Sequence, residues 1–86
     1  MKKIGFDKNI YINEINEMIK DYSVLQKKIF LTKCIKAQKE QTFFIEDKLN
    51  KEKSIYTYYF GTLYSRGQIN TMKKELSVLE NLRSNL

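Results

Sequence analysis

Ser54-Ile55-Tyr56-Thr57-Tyr58-Tyr59-Phe60-Gly61-Thr62-Leu63-Tyr64-Ser65 is the longest uncharged run of the chain, and its folding decides the fold class. Its tyrosines, phenylalanine, isoleucine and threonines favour a strand by propensity. Its spacing favours a helix, because Ile55, Tyr56, Tyr59, Phe60, Leu63 and Tyr64 share one wide face at 3.6 residues per turn. The strict alternation of a half-buried strand is missing, since Tyr58, Tyr59 and Phe60 are consecutive. The spacing therefore predicts a third helix, with Ser54 at its start. The alternative is a hairpin pairing residues 42–49 with 55–63, turned by the polar stretch Asn50-Lys51-Glu52-Lys53-Ser54.

The residues before this run point toward long helices. There is no proline, and the only glycines are Gly5, Gly61 and Gly67, so residues 6–60 contain no strong breaker. Within them, Ser23-Val24-Leu25-Gln26 fits a capping box, in which serine and glutamine side chains satisfy each other's free backbone donors. The helix it opens carries Val24, Phe30, Leu31, Cys34, Ile35 and Ala37 on a broad arc, with Leu25 and Ile29 nearly opposite. Lys27, Lys28, Lys33, Lys36 and Lys39 fill the gaps, with Lys28, Lys36 and Lys39 on one side. A helix apolar on two sides needs two covers, so this one is expected at the centre of the fold. Leu25 and Ile29 are then to be covered by the first helix, the last helix or another chain. Residues 42–50 continue it with Phe44, Ile45 and Leu49 inward, and Asp47 sits four residues before Lys51 as a favourable pair.

Upstream, Asp7 is placed to cap a helix over about residues 8–20, with Phe6 and Tyr11 positioned as a hydrophobic staple. Tyr11, Ile12, Ile15, Met18 and Ile19 lie within roughly 120° of arc, so one face is expected to be buried. Downstream, Ser65-Arg66-Gly67-Gln68 is a second capping-box match. It opens a helix whose Ile69, Met72, Leu76, Leu79 and Leu86 recur at 3-and-4 spacing, widened by Val78 and Leu82 and joined by Arg83. The expectation is one domain over residues 1–86, all-α, a compact bundle of three or four helices around a central helix at about 23–50. The alternative is an α+β fold with a hairpin at about 42–64.

Composition narrows the function. A chain of 86 residues makes a thin core, and its lone Cys34 and lack of histidine exclude an internal disulfide and the usual zinc sites. Helix packing or self-association has to supply the rest. Without histidine there is no general base poised near neutral pH, Cys34 sits on an apolar arc, and the neighbouring acids Glu14 and Glu17 belong to a solvated face. Gly61 and Gly67 match no phosphate loop. No catalytic, metal or cofactor site is expected. The apolar start ends at Asp7, too soon for a signal segment, and no run is long enough to cross a bilayer, which suggests a cytoplasmic protein.

Two partner classes stay open. Tyr56, Tyr58, Tyr59 and Arg66 are candidates for protein binding, because tyrosine gives large contact area at little entropy cost. Tyr58 lies off the main apolar arc and is the best exposed anchor. The formal charge of +6 permits an acidic protein surface or nucleic acid. For nucleic acid the candidates are Lys28, Lys36 and Lys39, together with Lys51 and Lys53 beside the tyrosines as a stacking surface. A membrane partner is not expected, since Glu75 and Glu80 interrupt the basic face of the last helix. A homodimer is compatible with the pattern. The sequence thus suggests a small protein-binding module, meaning a regulator, inhibitor or assembly factor, with a nucleic-acid-binding accessory protein as the alternative. Its lysine, asparagine and isoleucine content is that of an AT-rich coding sequence, as in a phage or mobile element.

Overall fold

A computed structural model describes residues 6–86. It contains α1 (Lys8–Ile19), α2 (Val24–Glu52), β1 (Tyr56–Tyr59), β2 (Thr62–Ser65) and α3 (Arg66–Ser84). Most of the expected signal-free start, residues 1–5, lies outside the described residues. The start signals at Asp7, Ser23 and Ser65 operate. Asp7 Oδ1 accepts from the backbone N–H groups of Asn9 and Ile10 at 3.0 and 3.1 Å, and the Phe6 and Tyr11 rings meet at 5.6 Å. Ser23 N–H donates to Gln26 Oε1 at 2.8 Å while Ser23 Oγ accepts from Gln26 N–H at 3.1 Å, which ends α1 and starts α2. Ser65 and Gln68 make the same reciprocal pair at 2.7 and 3.3 Å.

α2 is the spine. Its 29 residues correspond to roughly 43 Å at 1.5 Å per residue, close to the 44 Å long axis of the molecule. It ends with Lys53 in the left-handed region at φ 51°, where Ser54 N–H donates to Leu49 O and Lys53 N–H to Asn50 O. Those two bonds satisfy carbonyls that the helix end would otherwise leave open. Ser54 does not cap a third helix as expected. Its Oγ accepts from Tyr56 N–H at 3.1 Å and leads the chain into a strand.

Residues 55–64 overturn the all-α expectation and agree with the α+β alternative in class, though not in its pairing. They are not a helix, and residues 42–49 are not their strand partner but part of α2. The stretch folds on itself as an antiparallel hairpin in the register Tyr56 with Ser65, Thr57 with Tyr64, Tyr58 with Leu63 and Tyr59 with Thr62. The link is Phe60-Gly61, both at positive φ (51° and 79°). Two left-handed residues give a two-residue turn the twist that flanking strands need. The apparent break in alternation arises because Phe60 belongs to the turn. Removing it leaves Thr57, Tyr59 and Tyr64 on one face and Tyr56, Tyr58 and Leu63 on the other.

α3 runs antiparallel to α2, and two apolar clusters lie along the pair. Ile45, Leu49, Ile69 and Met72 form one, covered by Tyr59 and Tyr64 from the hairpin. Ile15, Ile19, Leu31 and Leu79 form the other, with Tyr11, Phe30, Cys34, Ile35 and Leu82 packed against it. The architecture is mostly helical with one small hairpin, a two-helix pair with α1 over one end and the hairpin over the other, which is the α+β alternative rather than an all-α fold. Cross-links join the pair: Gln38 Nε2 donates to Met72 O (3.2 Å) and Glu75 (3.1 Å), and Lys73 pairs with Glu46 at 2.8 Å.

Several residues expected inside lie outside. Phe44, Met18, Val24 and Leu86 are exposed, as is Ala37. Neither α1 nor α3 covers the second apolar face of α2, where Leu25 is 67% exposed and Ile29 is also exposed. Conversely, Thr42 is buried and its hydroxyl has no hydrogen-bond partner. Valine has the same shape without the polar atom, so Thr42→Val is expected to raise the unfolding free energy by about 1–2 kcal/mol. Urea titration checks this; an unchanged or lower midpoint would mean the hydroxyl is satisfied in solution.

Candidate partner-binding surface

The hairpin has one face committed to the core and one face free. On the inner face Thr57 is 4% exposed and its hydroxyl donates to Glu52 Oε1 at 2.8 Å. Tyr59 and Tyr64 pack their rings on the Ile45 cluster, and Tyr64 Oη accepts from Gln41 Nε2 at 2.9 Å. The inner face thus combines apolar rings with hydrogen-bonded hydroxyls at Thr57 and Tyr64, the pattern of half-buried tyrosines.

Arg66 fixes the base of the hairpin. Its Nε donates to Ser54 O (3.0 Å), one terminal nitrogen to Asn50 Oδ1 (2.9 Å) and the other to Leu49 O (3.2 Å), while Arg66 N–H donates to Ile55 O (3.1 Å). A guanidinium has five donors in a rigid fork, and here the fork grips the end of α2. The sequence marked Arg66 as a contact residue; the structure gives it the job of a clamp. Lys48 Nζ donates to Tyr58 O at 2.8 Å, and Tyr56 N–H and Ser65 N–H are taken by Ser54 and Gln68. These bonds occupy part of the hairpin's edges, and its side chains supply the broad exposed surface.

The outer face presents Tyr56, Tyr58 and Leu63, with Ile55 at the base, all exposed. Phe60 stands at the tip with 89% of its surface in water, its ring 4.6 Å from that of Tyr59. The exposed parts of these aromatic rings amount to on the order of 400 Å², comparable to the largest apolar patch of an ordinary monomer. Beside them, Phe44, Asp47, Lys48, Lys51 and Tyr59 line an open groove of about 450 Å³. Phe44 and Phe60 were not singled out by the sequence, where both seemed to face a core. The available signal was Phe60-Gly61 read as a two-residue turn, which would have returned the alternation of both strands.

The five lysines proposed for nucleic acid do not form one surface. Lys28, Lys36 and Lys39 lie in the first half of α2, whereas Lys51 and Lys53 end it, roughly 18 Å beyond Lys39 at 1.5 Å per residue. Lys39 pairs with Glu80 at 3.2 Å and Lys51 with Asp47 at 3.1 Å, so neither is a free cation. Lys53 caps the helix through its backbone, and its side chain is exposed.

Elsewhere the chemistry is quiet. Burial pushes the Tyr11 hydroxyl up to about 12, with Glu75, Cys34 and Glu14 adding to it, and burial also raises the Cys34 thiol. Both groups stay protonated at neutral pH, and a protonated thiol is a weak nucleophile. Among the described residues no three acidic, cysteine or histidine side chains gather as a metal site, and no helix is long and apolar enough to cross a membrane. No protein-family model matches the chain, and no curated protein or solved structure matches it either.

Proposed function

We propose that this chain is a cytoplasmic, non-catalytic protein-binding module, a regulator, inhibitor or assembly factor that acts by seating the outer face of its hairpin on a partner protein. The observation that carries the reading is Phe60, a bulky residue held left-handed and almost wholly exposed at a turn tip. The left-handed region disfavours any side chain with a Cβ, by roughly 1–2 kcal/mol, and the ring contact of Phe60 with Tyr59 still leaves it 89% exposed. Strain retained for so small a packing gain points to a use outside the molecule. Tyr56, Tyr58 and Leu63 extend the same surface, and the clamp by Arg66 holds it rigid before contact, which lowers the entropy lost on binding.

The test begins by purifying the chain from its native host at low and moderate salt and identifying what co-elutes. An interface anchored by aromatic rings survives moderate salt, whereas phosphate contacts weaken steeply. Tyr58→Ala then removes an outward ring with no core role. Partner affinity is expected to fall by roughly 30-fold, as for an interface hot spot, with the melting temperature unchanged. A large drop in melting temperature would place Tyr58 in the core instead. Recovery of nucleic acid, lost on Lys28→Glu, Lys36→Glu and Lys39→Glu together, would overturn the reading in favour of the alternative.

A further inference from the structure

Two other unpartnered faces lie at the opposite end of α2 from the hairpin, and they are complementary to each other. The first is on α1. Ile10 and Met18 are exposed, and between and beside them stand Asn13, Glu14 and Glu17, the five lining a shallow groove of about 580 Å³. Asp21 follows in the turn just beyond the helix. Glu17 pairs with Lys20 at 2.6 Å, whereas Glu14 and Asp21 have no ion-pair partner among the described residues. This face is apolar at its ends and acidic along its length.

The second is on the first half of α2. Leu25 and Ile29 are its exposed apolar pair, and Lys28, Thr32, Lys33 and Arg83 complete a groove of about 290 Å³ between α2 and α3. No acidic residue occurs from Ser23 to Lys39. Lys28, Lys33 and Lys36 have no ion-pair partner among the described residues, and Arg83 is oriented by Nε donating to Thr32 Oγ1 at 3.0 Å. This face is apolar at its floor and basic at its rim. Ile10 and Met18, like Leu25 and Lys33, stand eight positions apart, roughly 12 Å of helix, so the two faces match in length and are opposite in sign.

We propose that the occupant of each face is a second copy of this chain, α1 of one copy lying against α2 of the other in a reciprocal twofold dimer. A twofold contact uses the same surface on both copies, so both faces are filled at once. Ile10, Met18, Tyr22, Leu25 and Ile29 are exposed apolar residues at this end. At roughly 100 Å² of exposed area each, they supply about 1,000 Å² in a reciprocal contact, the area a specific interface has to clear. Glu14 and Asp21 then meet Lys28 and Lys33, so local pairing opposes the repulsion between two copies of charge +6. A nucleic-acid ligand would use the lysines but would leave Leu25 and Ile29 in water, and it has no use for the acidic face of α1. The hairpin remains free, and the dimer carries two partner-binding tips.

Sedimentation equilibrium of the full chain tests this. The mass is expected to rise from 10.3 kDa toward twice that value as concentration passes through the micromolar range. Ile29→Asp is expected to weaken the dimer at least tenfold, and so are Glu14→Lys with Glu17→Lys in one chain and Lys28→Glu with Lys33→Glu in another. Mixing these two charge-reversed chains places opposite signs across both contacts, so a heterodimer should form where neither chain dimerises alone. Circular dichroism confirms that each variant is folded. A monomer at every concentration overturns the proposal, as does a dimer indifferent to Ile29→Asp, or charge-reversed chains that stay monomeric when mixed. A dimer lost on Tyr58→Ala but kept on Ile29→Asp would move self-association to the hairpin, and that outcome also leaves the two readings distinguishable.

Discussion

Leu49→Ala lowers the unfolding free energy by about 3 kcal/mol, the middle of the range for deleting a buried leucine side chain down to its Cβ. Leu49 is fully buried, 0% exposed, and packs in one cluster with Ile45, Ile69 and Met72. It joins three elements, since Tyr59 and Tyr64 of the hairpin cover the cluster that α2 and α3 form. The site has little freedom to collapse around the missing atoms, because Arg66 fixes the Leu49 carbonyl from the other side. A domain of this size has a total stability of about 4–13 kcal/mol, so the loss is a large share of the whole. Thermal unfolding followed by circular dichroism should show the midpoint falling by about 12–24 °C. Leu31→Ala in the second cluster should do the same to the same single transition. A loss below about 1 kcal/mol at Leu49 would mean that the hairpin end is not part of the cooperative core.

Phe60→Asn has the opposite effect on stability and a larger one on function. Asparagine tolerates the left-handed backbone, and Asn-Gly is the favoured pair for this turn. The exposed phenylalanine ring touches Tyr59 but buries almost nothing, so little packing is lost. The substitution should stabilise the fold by about 1 kcal/mol, raising the melting temperature by roughly 4–8 °C. Partner affinity should fall by roughly tenfold or more, as the tip anchor is removed. Gain in one property and loss in the other is the signature of strain kept for function. If the variant is less stable, the ring packs in a way its exposure does not suggest. If binding is unchanged, the tip is not an anchor, and the proposed surface retreats to Tyr56, Tyr58 and Leu63.

These expectations rest on features that differ in how far they can be read along the chain. The starts of all three helices are legible as sequence, because each is made by a side chain reaching two or three residues ahead: Asp7, the Ser23 and Gln26 pair, the Ser65 and Gln68 pair. The antiparallel seam of Ile69, Met72 and Leu79 against α2 is legible for a related reason, since its spacing matches the helical repeat. The hairpin was legible only as the alternative, and with the wrong partner strand, because one residue in a turn, Phe60, shifts the alternation and disguises two short strands as one helical face. Arg66 was found as a residue of interest, but its part in holding the hairpin was hidden, as its partners Leu49, Asn50 and Ser54 become neighbours only when the hairpin returns to the end of α2.

What the chain determines by itself is where elements begin, which residues are apolar, and how charge is divided between its acidic first helix and its basic second one. Which apolar residues end up covered is decided only by the tertiary structure. Burial is a property of pairs of elements, and α2 is longer than any one element able to cover it. α3 covers one side along its length, α1 and the hairpin each cover one end, and Leu25, Ile29, Phe44, Tyr58 and Phe60 are left facing water. The same periodicity that marks a core residue marks an interface residue, and only the positions of the other elements separate the two.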